Sequence, residues 1–556
     1  MNVLLTALNS KYIHNNIGLR YLEIFSRNQG FSCEIEEFTI NEEMTKILDK
    51  IMVKSPDVVA FSVYIWNFEL VKKLSVLLKQ INEDIIIVYG GPEVSFDCVE
   101  HLETMAGDYI IYGEGENSFK ELMTALYKGS SIDEVKGICF KKEGMAYLNG
   151  PREKIDLKDL PYPYEEDELL EGKLAYIETS RGCPYQCSYC LSSSEIDLRF
   201  VSYDRVKTFI DRLLLTRSKI IKFIDRTFNI HPDAMKIWSY IISLDTEVTF
   251  HFEISPDLIK EEHIELLLTA PKGRIQFEVG VQSTKKEVLK IINRHMGFEK
   301  VSKKLLLLKK LENIHTHMDL IAGLPLDSFE TFHTSFNDLY AIKPDMLQLG
   351  FLKIIKGTPM ARDAKKYGMV YSPYAPYEIL KTNWISFSDL RRLHDIEEMV
   401  ETYYNSGRFH TTLSYLIGEN TDALNFYERL AHHIKEEFSD NAVSFKDYFR
   451  MLKEFGLEEL KRQNRADDPI VLNELLKYDW LGTHKKQYVP DFLHRNTKKR
   501  DDLRREAMEK TKQKIHLEIF NIDLIEYLQN GQIFLGESPV FYGEDGKIMK
   551  IELKNC

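Results

Sequence analysis

Thr179-Ser-Arg-Gly-Cys183-Pro-Tyr-Gln-Cys187-Ser-Tyr-Cys190-Leu191 sets three cysteines at CxxxCxxC spacing. This delivers three thiolates, not four, within one short loop. A cube of iron and sulfide normally takes four protein cysteines. Held by three, it leaves one iron open to bind something else, and open coordination positions distinguish catalytic metal sites from closed structural ones. The alternatives are a zinc site or three unrelated buried thiols. Zinc motifs pair a CxxC with a second CxxC or an HxxxH, and neither stands here.

Outward from this loop, strands and helices alternate. Strands are expected at 174–179, 220–224, 248–253, 275–280, 317–321 and 346–352, a pattern of parallel β/α units. Toward the N-terminus the alternation continues, with strands at 2–8, 33–38, 57–64, 84–89 and 108–112 and helices such as 17–28 and 67–81. Asp57-Val-Val-Ala-Phe-Ser-Val-Tyr64 and Ile85-Ile-Ile-Val-Tyr89 are continuous apolar runs, which suit parallel strands covered on both faces. Ligands of such sheets bind beyond the carboxyl ends of the strands. Those ends carry Asn9–Asn16, Ser62–Asn67, Gly90-Gly91-Pro92-Glu93 and Gly113-Glu-Gly-Glu116. No GxGxxG follows the first strand, which argues against a dinucleotide.

The cysteine segment resembles the cluster loop of the radical S-adenosylmethionine (SAM) enzymes. The resemblance is specific over about residues 171–370. It implies a [4Fe-4S] cluster on Cys183, Cys187 and Cys190, with the open iron chelating SAM. It also implies that the aromatic residue before the third cysteine, Tyr189, lies by the adenine. Six β/α units would form the family's open partial barrel, with chemistry at the carboxyl strand ends. Phe223-Ile-Asp225-Arg-Thr-Phe228 resembles the family's Asp-Asp-x-Phe segment, with Arg226 in place of the second acid. By the same resemblance Glu253 faces SAM, Ser283 is available to its methionyl end, and Arg294 pairs with its carboxylate. Asp319-Leu-Ile-Ala-Gly323-Leu-Pro325 and Gly357-Thr-Pro359 match the later strand ends. Asp225 and Asp319 read either as contacts to SAM or substrate or as helix caps or structural partners.

The N-terminal order resembles the cobalamin-binding domain that precedes many radical SAM enzymes. Ser62, Gly90 and Gly91 then line the pocket for the cobalamin tail. Domains that ligate cobalt from below carry Asp-x-His-x-x-Gly after the first strand. This chain has Tyr12-Ile-His14-Asn-Asn-Ile17-Gly18, without the acid and with the glycine one place late. The expectation is therefore base-off cobalamin without a histidine ligand, with Trp66 or Asn67 facing the metal.

The expected fold is α/β: a doubly wound cobalamin-type Rossmann domain (1–125), a connector (126–170), a partial (β/α)6 radical SAM barrel (171–375), and a mainly helical C-terminal domain ending in a small β unit (376–556). Within the connector, Lys136–Leu148 reads as a hairpin turning at Gly144. In the last domain, 395–404 and 423–438 have helical spacing. Trp480-Leu-Gly-Thr483 reads as a loop and Gly543-Glu-Asp-Gly546 as a hairpin turn. Residues 494–516 hold nine Lys/Arg against four Asp/Glu, read either as a solvated mixed-charge helix or as a patch for RNA phosphates.

Composition narrows the class. The chain has 556 residues, is 44% hydrophobic and carries a formal charge of −13, which argues against general coating of nucleic acid. There is no apolar run long enough to span a bilayer and no basic segment with a cleavage site at the start. Cys33, Cys98, Cys139 and Cys556 form no evident disulfide framework. A reducing cytoplasm is expected. The leading functional expectation is a methyltransferase acting on an unactivated carbon through a 5′-deoxyadenosyl radical and methylcobalamin. Alternatives are a cobalamin-containing radical SAM enzyme catalysing a non-methylating rearrangement, or an RNA (tRNA) modification enzyme recognising RNA through the basic segment. The resemblance implies a reducing electron donor such as flavodoxin or ferredoxin. No motif specifies whether the substrate is a small molecule, a peptide or RNA.

Overall fold

The computed structural model describes residues 1–294, 297–418, 422–437, 443–465, 468–483, 488–495, 500–511, 515–543 and 548–549. The chain divides into two compact units. The first comprises Met1–Ser335, Ile342–Pro344 and Leu349–Leu390; the second comprises Phe336–Ala341, Asp345–Gln348 and Arg391–Cys556.

The first unit opens with a sheet of β1 (Asn2–Asn9), β2 (Ser32–Thr39), β3 (Val58–Ser62), β4 (Ile86–Gly90), β5 (Tyr109–Ile111), β6 (Ile138–Lys142) and β7 (Met145–Leu148), in the order β2-β1-β3-β4-β5-β6-β7. The first five strands pair in parallel and the last two run antiparallel. Side chains of β1 divide between two cores: Leu4 and Leu8 enter one, and Val3, Leu5 and Ala7 the other. Both faces are thus covered, which is why the strands are apolar throughout; each fully buried Val or Leu contributes about 1.5–3 kcal/mol. The hairpin expected in the connector does turn at Gly144, where φ is +82°. It is not a free connector, however. β6 pairs along β5 through Tyr109 and Phe140, Ile110 and Cys139, and Ile111 and Ile138, because buried Cys139 and Ile138 complete the two cores.

A ribbon of β9 (Ser180–Arg181) and β10 (Arg199–Phe200) brackets the cysteine loop. The second large sheet contains β8 (Ala175–Ile177), β11 (Ile220–Phe223), β12 (Thr249–Ile254), β13 (Ile275–Gln282), β14 (His315–Ala322) and β15 (Met346–Phe351), in that spatial order. β8 and β15 are its two edges, so the six units form an open sheet. The intervening helices are amphipathic. Tyr203–Leu213, for example, buries Val206, Phe209, Ile210 and Leu213, the three- and four-residue spacing of a helix face. Beneath them Phe223, Phe228, Trp238, Phe252 and Phe277 pack as one aromatic layer, with Phe223 and Phe252 centroids 4.4 Å apart.

The second unit is mainly helical and ends in an antiparallel sheet of three strands, His516–Ile522, Leu535–Tyr542 and Ile548–Met549. The expected helix at 423–438 spans Ala423–Glu437, and the 395–404 stretch lies in Phe387–Met399 and a π-helical turn at Val400–Asn405. Trp480-Leu-Gly-Thr483 is not a loop; it is the last turn of a helix over Pro469–Thr483. Trp480 is buried against Phe445 and Phe449, and that packing outweighs the low helix propensity of Gly482. The Gly543–Gly546 turn falls largely outside the described residues.

Candidate functional site

The cysteine loop follows β8 directly. Its path is set by backbone hydrogen bonds: the Cys183 amide donates to Glu195 O at 2.9 Å and the Cys190 amide to Cys187 O at 3.1 Å. Gly182 is obligatory there, since φ is +94° and a Cβ would lie 2.3 Å from Asp197 O. Cys183 and Cys187 are buried and Cys190 is half-buried. Cys183 Sγ sits 3.8 Å from Thr227 Oγ1, and Arg294 Nη1 lies 3.8 Å from Cys187 Sγ and 3.5 Å from the Tyr189 hydroxyl.

Among the described residues no three His, Cys, Asp or Glu converge on a single ion. A cube has no such requirement, because each thiolate holds a different iron. Three thiols with no carboxylate or imidazole among them are the donor set of such a cluster. The expected SAM residues are brought close to it. Arg294 Nη2 donates to Gly280 O, while its Nε is buried and has no partner, a donor left for a ligand carboxylate. Glu253 is half-buried on β12; burial raises its pKa, against the nearby charges of Arg226 and Lys222. Ser283 differs from expectation. It is buried and its hydroxyl is already engaged, accepting from the Lys285 amide at 3.2 Å and lying 3.3 Å from Ser335 Oγ.

Asp225 is a structural tie. It is buried and accepts from the Thr179 amide, the Thr179 hydroxyl at 2.7 Å and the Ser180 hydroxyl. Burial pushes its carboxyl up to about 7 despite those bonds.

The inner face of the barrel sets Lys222, Glu278 and His317, which no motif singled out, beside the motif residues Glu253 and Asp319. Lys222 Nζ is 3.2 Å from Glu278 and 4.0 Å from Glu253, and His251 Nε2 is 3.0 Å from Glu278. His317 Nε2 is 3.4 Å from Asp319. Burial would raise Glu278, but His251 and Lys222 overcome it and hold the carboxyl near 2. The signal was present in the sequence as alternation: His251 and Glu253, Gln276 and Glu278, His317 and Asp319 are each two residues apart, the period that puts side chains on one face of a strand.

The loops of the N-terminal sheet meet this barrel. Ser62 Oγ accepts from Asn16 Nδ2 at 2.9 Å. Gly91 has φ +114° and a Cβ there would lie 2.5 Å from Val63 O, whereas a Cβ on Gly90 would meet nothing closer than 3.8 Å. Gly91 therefore admits no side chain. Trp66 is exposed, stacks on Tyr64 at 4.4 Å, and donates its indole N–H to Leu8 O at 3.2 Å. Asn67 is instead buried, with its amide on Leu8 O and Ser62 O. His14 Nδ1 is 2.5 Å from the Tyr176 hydroxyl on β8, so one ring nitrogen is taken up by the barrel.

Stronger ties come from charge. Arg181, two residues before Cys183, bonds Glu116 at 2.6 Å, Glu178 at 2.9 Å and Glu114 at 3.4 Å. Glu114 also pairs with Arg199 and accepts from the Ile155 amide at 3.0 Å. All five side chains are at most 20% exposed. Glu93, in the short helix Pro92–Ser95 after β4, accepts from the Tyr377 hydroxyl at 2.5 Å. The carboxyl ends of the two sheets thus face one another across the cysteine loop. None of these long-range partners had a motif to announce it.

Comparison with known proteins matches three stretches of the chain. Residues 3–123 match the B12 binding domain, residues 177–339 the Radical SAM superfamily, and residues 365–540 a family described as a protein of unknown function, DUF4080. Cobalamin-dependent radical SAM methyltransferase TokK of Streptomyces tokunonensis is 27% identical over 58% of this chain and 51% of its own length. The 2-(S-pantetheinyl)-carbapenam-3-carboxylate methyltransferase of Streptantibioticus cattleyicolor is 27% identical over 52% of this chain and 45% of its own. The chain thus spans about half the length of these curated relatives. Among solved structures, OxsB with aqua-cobalamin bound superposes with a TM-score of 0.62 at 16% identity, covering 88% of this chain and 82% of that one. TsrM of Kitasatospora setae, with cobalamin and a [4Fe-4S] cluster, superposes with a TM-score of 0.59 at 17% identity, covering 78% of this chain and 99% of that one. No helix among the described residues is long and apolar enough to cross a membrane. The chain therefore carries a B12-binding domain over residues 3–123 followed by a radical SAM domain over residues 177–339, with the cysteine loop at the start of the second.

Proposed function

We propose that the protein is a cobalamin-dependent radical SAM methyltransferase acting on an unactivated carbon. The observation that carries this reading is the ion-pair group of Arg181, Arg199, Glu114, Glu116 and Glu178. It ties the loop after β5, on the cobalamin side, to the strand that leads into Cys183. Two cofactors serving one reaction need fixed mutual placement, since reactivity falls steeply with misalignment.

When bound, the cluster would supply the electron that cleaves SAM, and cobalamin would carry the methyl group. The chain's own contribution is holding and enclosing. Cys183, Cys187 and Cys190 would hold the cluster, and Arg294 would pair with the SAM carboxylate through its free Nε. Ser62 and the bare backbone at Gly91 would admit the cobalamin tail. Tyr64 and Trp66 offer a stacked aromatic surface after β3, which suits cobalamin lacking a histidine ligand. The polar barrel interior would receive the substrate. The chemistry requires a low-potential electron donor of the flavodoxin or ferredoxin kind, and a reducing cytoplasm is the matching setting.

The reading is tested by iron, sulfide and cobalt content per chain after anaerobic expression with cobalamin, together with S-adenosylhomocysteine formation. About four irons and one cobalt are expected. Iron without cobalt would remove the methyl-transfer reading and leave the radical SAM core. RNA recognition through the basic segment gains no support. Arg495 is committed to buried Glu518 at 2.8 Å, and Lys498 and Lys499 lie outside the described residues.

A further inference from the structure

Arg226 stands at the second acidic place of the Asp-Asp-x-Phe segment that residues 223–228 resemble, and its surroundings define what it faces. Asp225 before it is tied to Thr179 and Ser180, and Thr227 after it touches Cys183 Sγ. The peptide carrying Arg226 is therefore fixed at the end of β11, beside the cluster loop. From 223 to 231 every other side chain is buried or half-buried, and Arg226 alone is exposed. The charges that act on it are Glu253 on β12, the thiols of Cys190 and Cys183, and the phenol of Tyr64 from the opposing loop. It therefore lies between the cluster, the barrel wall and the aromatic pair of the cobalamin-side loop.

Among the described residues the Arg226 guanidinium makes no hydrogen bond and has no carboxylate within ion-pair distance, while the Arg226 carbonyl accepts from the Thr227 hydroxyl at 2.7 Å. Glu253 has Lys222 at 4.0 Å instead. Of the other arginines of the site, Arg181 and Arg199 are engaged in the ion-pair group, and Arg294 is engaged on Gly280, Cys187 and Tyr189 with only its Nε left over, the donor assigned above to the SAM carboxylate. A guanidinium offers five donors in a rigid fork that matches carboxylate and phosphate oxygens. Held at a reaction centre without a protein partner, it is a binding group for something that arrives.

We propose that Arg226 is the anion-binding group of the substrate site, so that the substrate carries a carboxylate or a phosphate near the carbon that reacts. This assignment rests on the methyltransferase reading for the location of the substrate, but its test is separate. Inorganic phosphate and carboxyl-labelled acetate are titrated into the full chain, loaded with cluster and cobalamin and saturated with SAM, and binding is followed by phosphorus and carbon NMR line broadening. At least one ion should bind, and Arg226→Gln should weaken it by about tenfold or more, the range for a charge-assisted contact. Arg226→Lys should retain part of the affinity, and cluster absorbance should be unchanged in both variants.

Loss for phosphate alone assigns a phosphate substrate, and loss for acetate alone a carboxylate. Equal binding to wild type and Arg226→Gln, or no binding to wild type, overturns the proposal. So does binding that vanishes once SAM is present, because Arg226 would then serve the SAM carboxylate. Iron, cobalt and S-adenosylhomocysteine are measured on the same preparations. Absent cobalt with intact anion binding removes the methyltransferase reading alone, and absent anion binding with intact cofactors removes the Arg226 assignment alone.

Discussion

In β3 every residue from Val58 to Ser62 is buried, whereas in β14 half-buried and buried residues alternate from His315 to Ala322. Both are interior parallel strands of an α/β sheet in the same unit. The N-terminal sheet is covered by apolar cores on both faces, so its polar residues are pushed to the strand ends, where a ligand must bind. The barrel sheet keeps one face for the aromatic layer and gives the other to Lys222, His251, Glu253, Glu278 and Asp319. The same topology thus places the polar side chains at the strand ends in one case and along one face of the sheet in the other. The meeting of the two is managed by buried charge at Arg181.

The contrast can be broken at several points. Cys187→Ala should abolish SAM cleavage and lower iron content while leaving cobalamin retention intact; normal iron would separate the loop from the cluster. Arg181→Met would leave Glu114, Glu116 and Glu178 facing each other without their shared cation. A loss of about 3–5 kcal/mol is expected for such a buried pair, read by chemical denaturation. A loss below about 1 kcal/mol, the range of a surface pair, would show that the two halves are not held by charge.

Glu278→Gln tests the polar face. The folded pKa of Glu278 lies near 2, below its ordinary 4.5. Its ionised form therefore contributes stability that is full above about 4.5 and disappears as pH falls toward 2, by up to about 3 kcal/mol. The variant should lose this pH dependence, as measured by guanidinium unfolding at stepped pH. A parallel slope in both proteins would refute the pairing with His251 and Lys222.

Two adjacent glycines sharpen the other side. Gly91→Ala sets a Cβ against Val63 O at a positive φ, a strain of roughly 1–3 kcal/mol. Cobalamin retention should fall about tenfold or more, with iron unchanged. Gly90→Ala meets only Ile111 at 3.8 Å and should change stability by less than about 1 kcal/mol. Equal effects at the two positions would mean that the loop is not shaped by steric exclusion.

Much of this arrangement was legible beforehand because its determinants are local. Cysteine spacing is covalent, and the strand limits follow from runs and alternation; the expected 220–224 and 346–352, for example, are observed as Ile220–Phe223 and Met346–Phe351. Ser283 was read as open because its motif position is local, whereas its partner Ser335 comes from 52 residues away. Trp480 was misread for the converse reason: Gly482 is a local breaker, and the packing that overrides it comes from Phe445 and Phe449 on another helix.

By itself the sequence determined the three-thiolate loop, the alternating α/β order and the glycines beyond β4, since each depends on neighbours within a few residues. Only the tertiary structure decided that Arg181 is shared by Glu114, Glu116 and Glu178, that Arg495 belongs to Glu518, and that Arg226 is left without a partner. Charge pairing acts through space and is set by which loops the packed cores bring within a few ångströms. Composition and spacing carry no record of that.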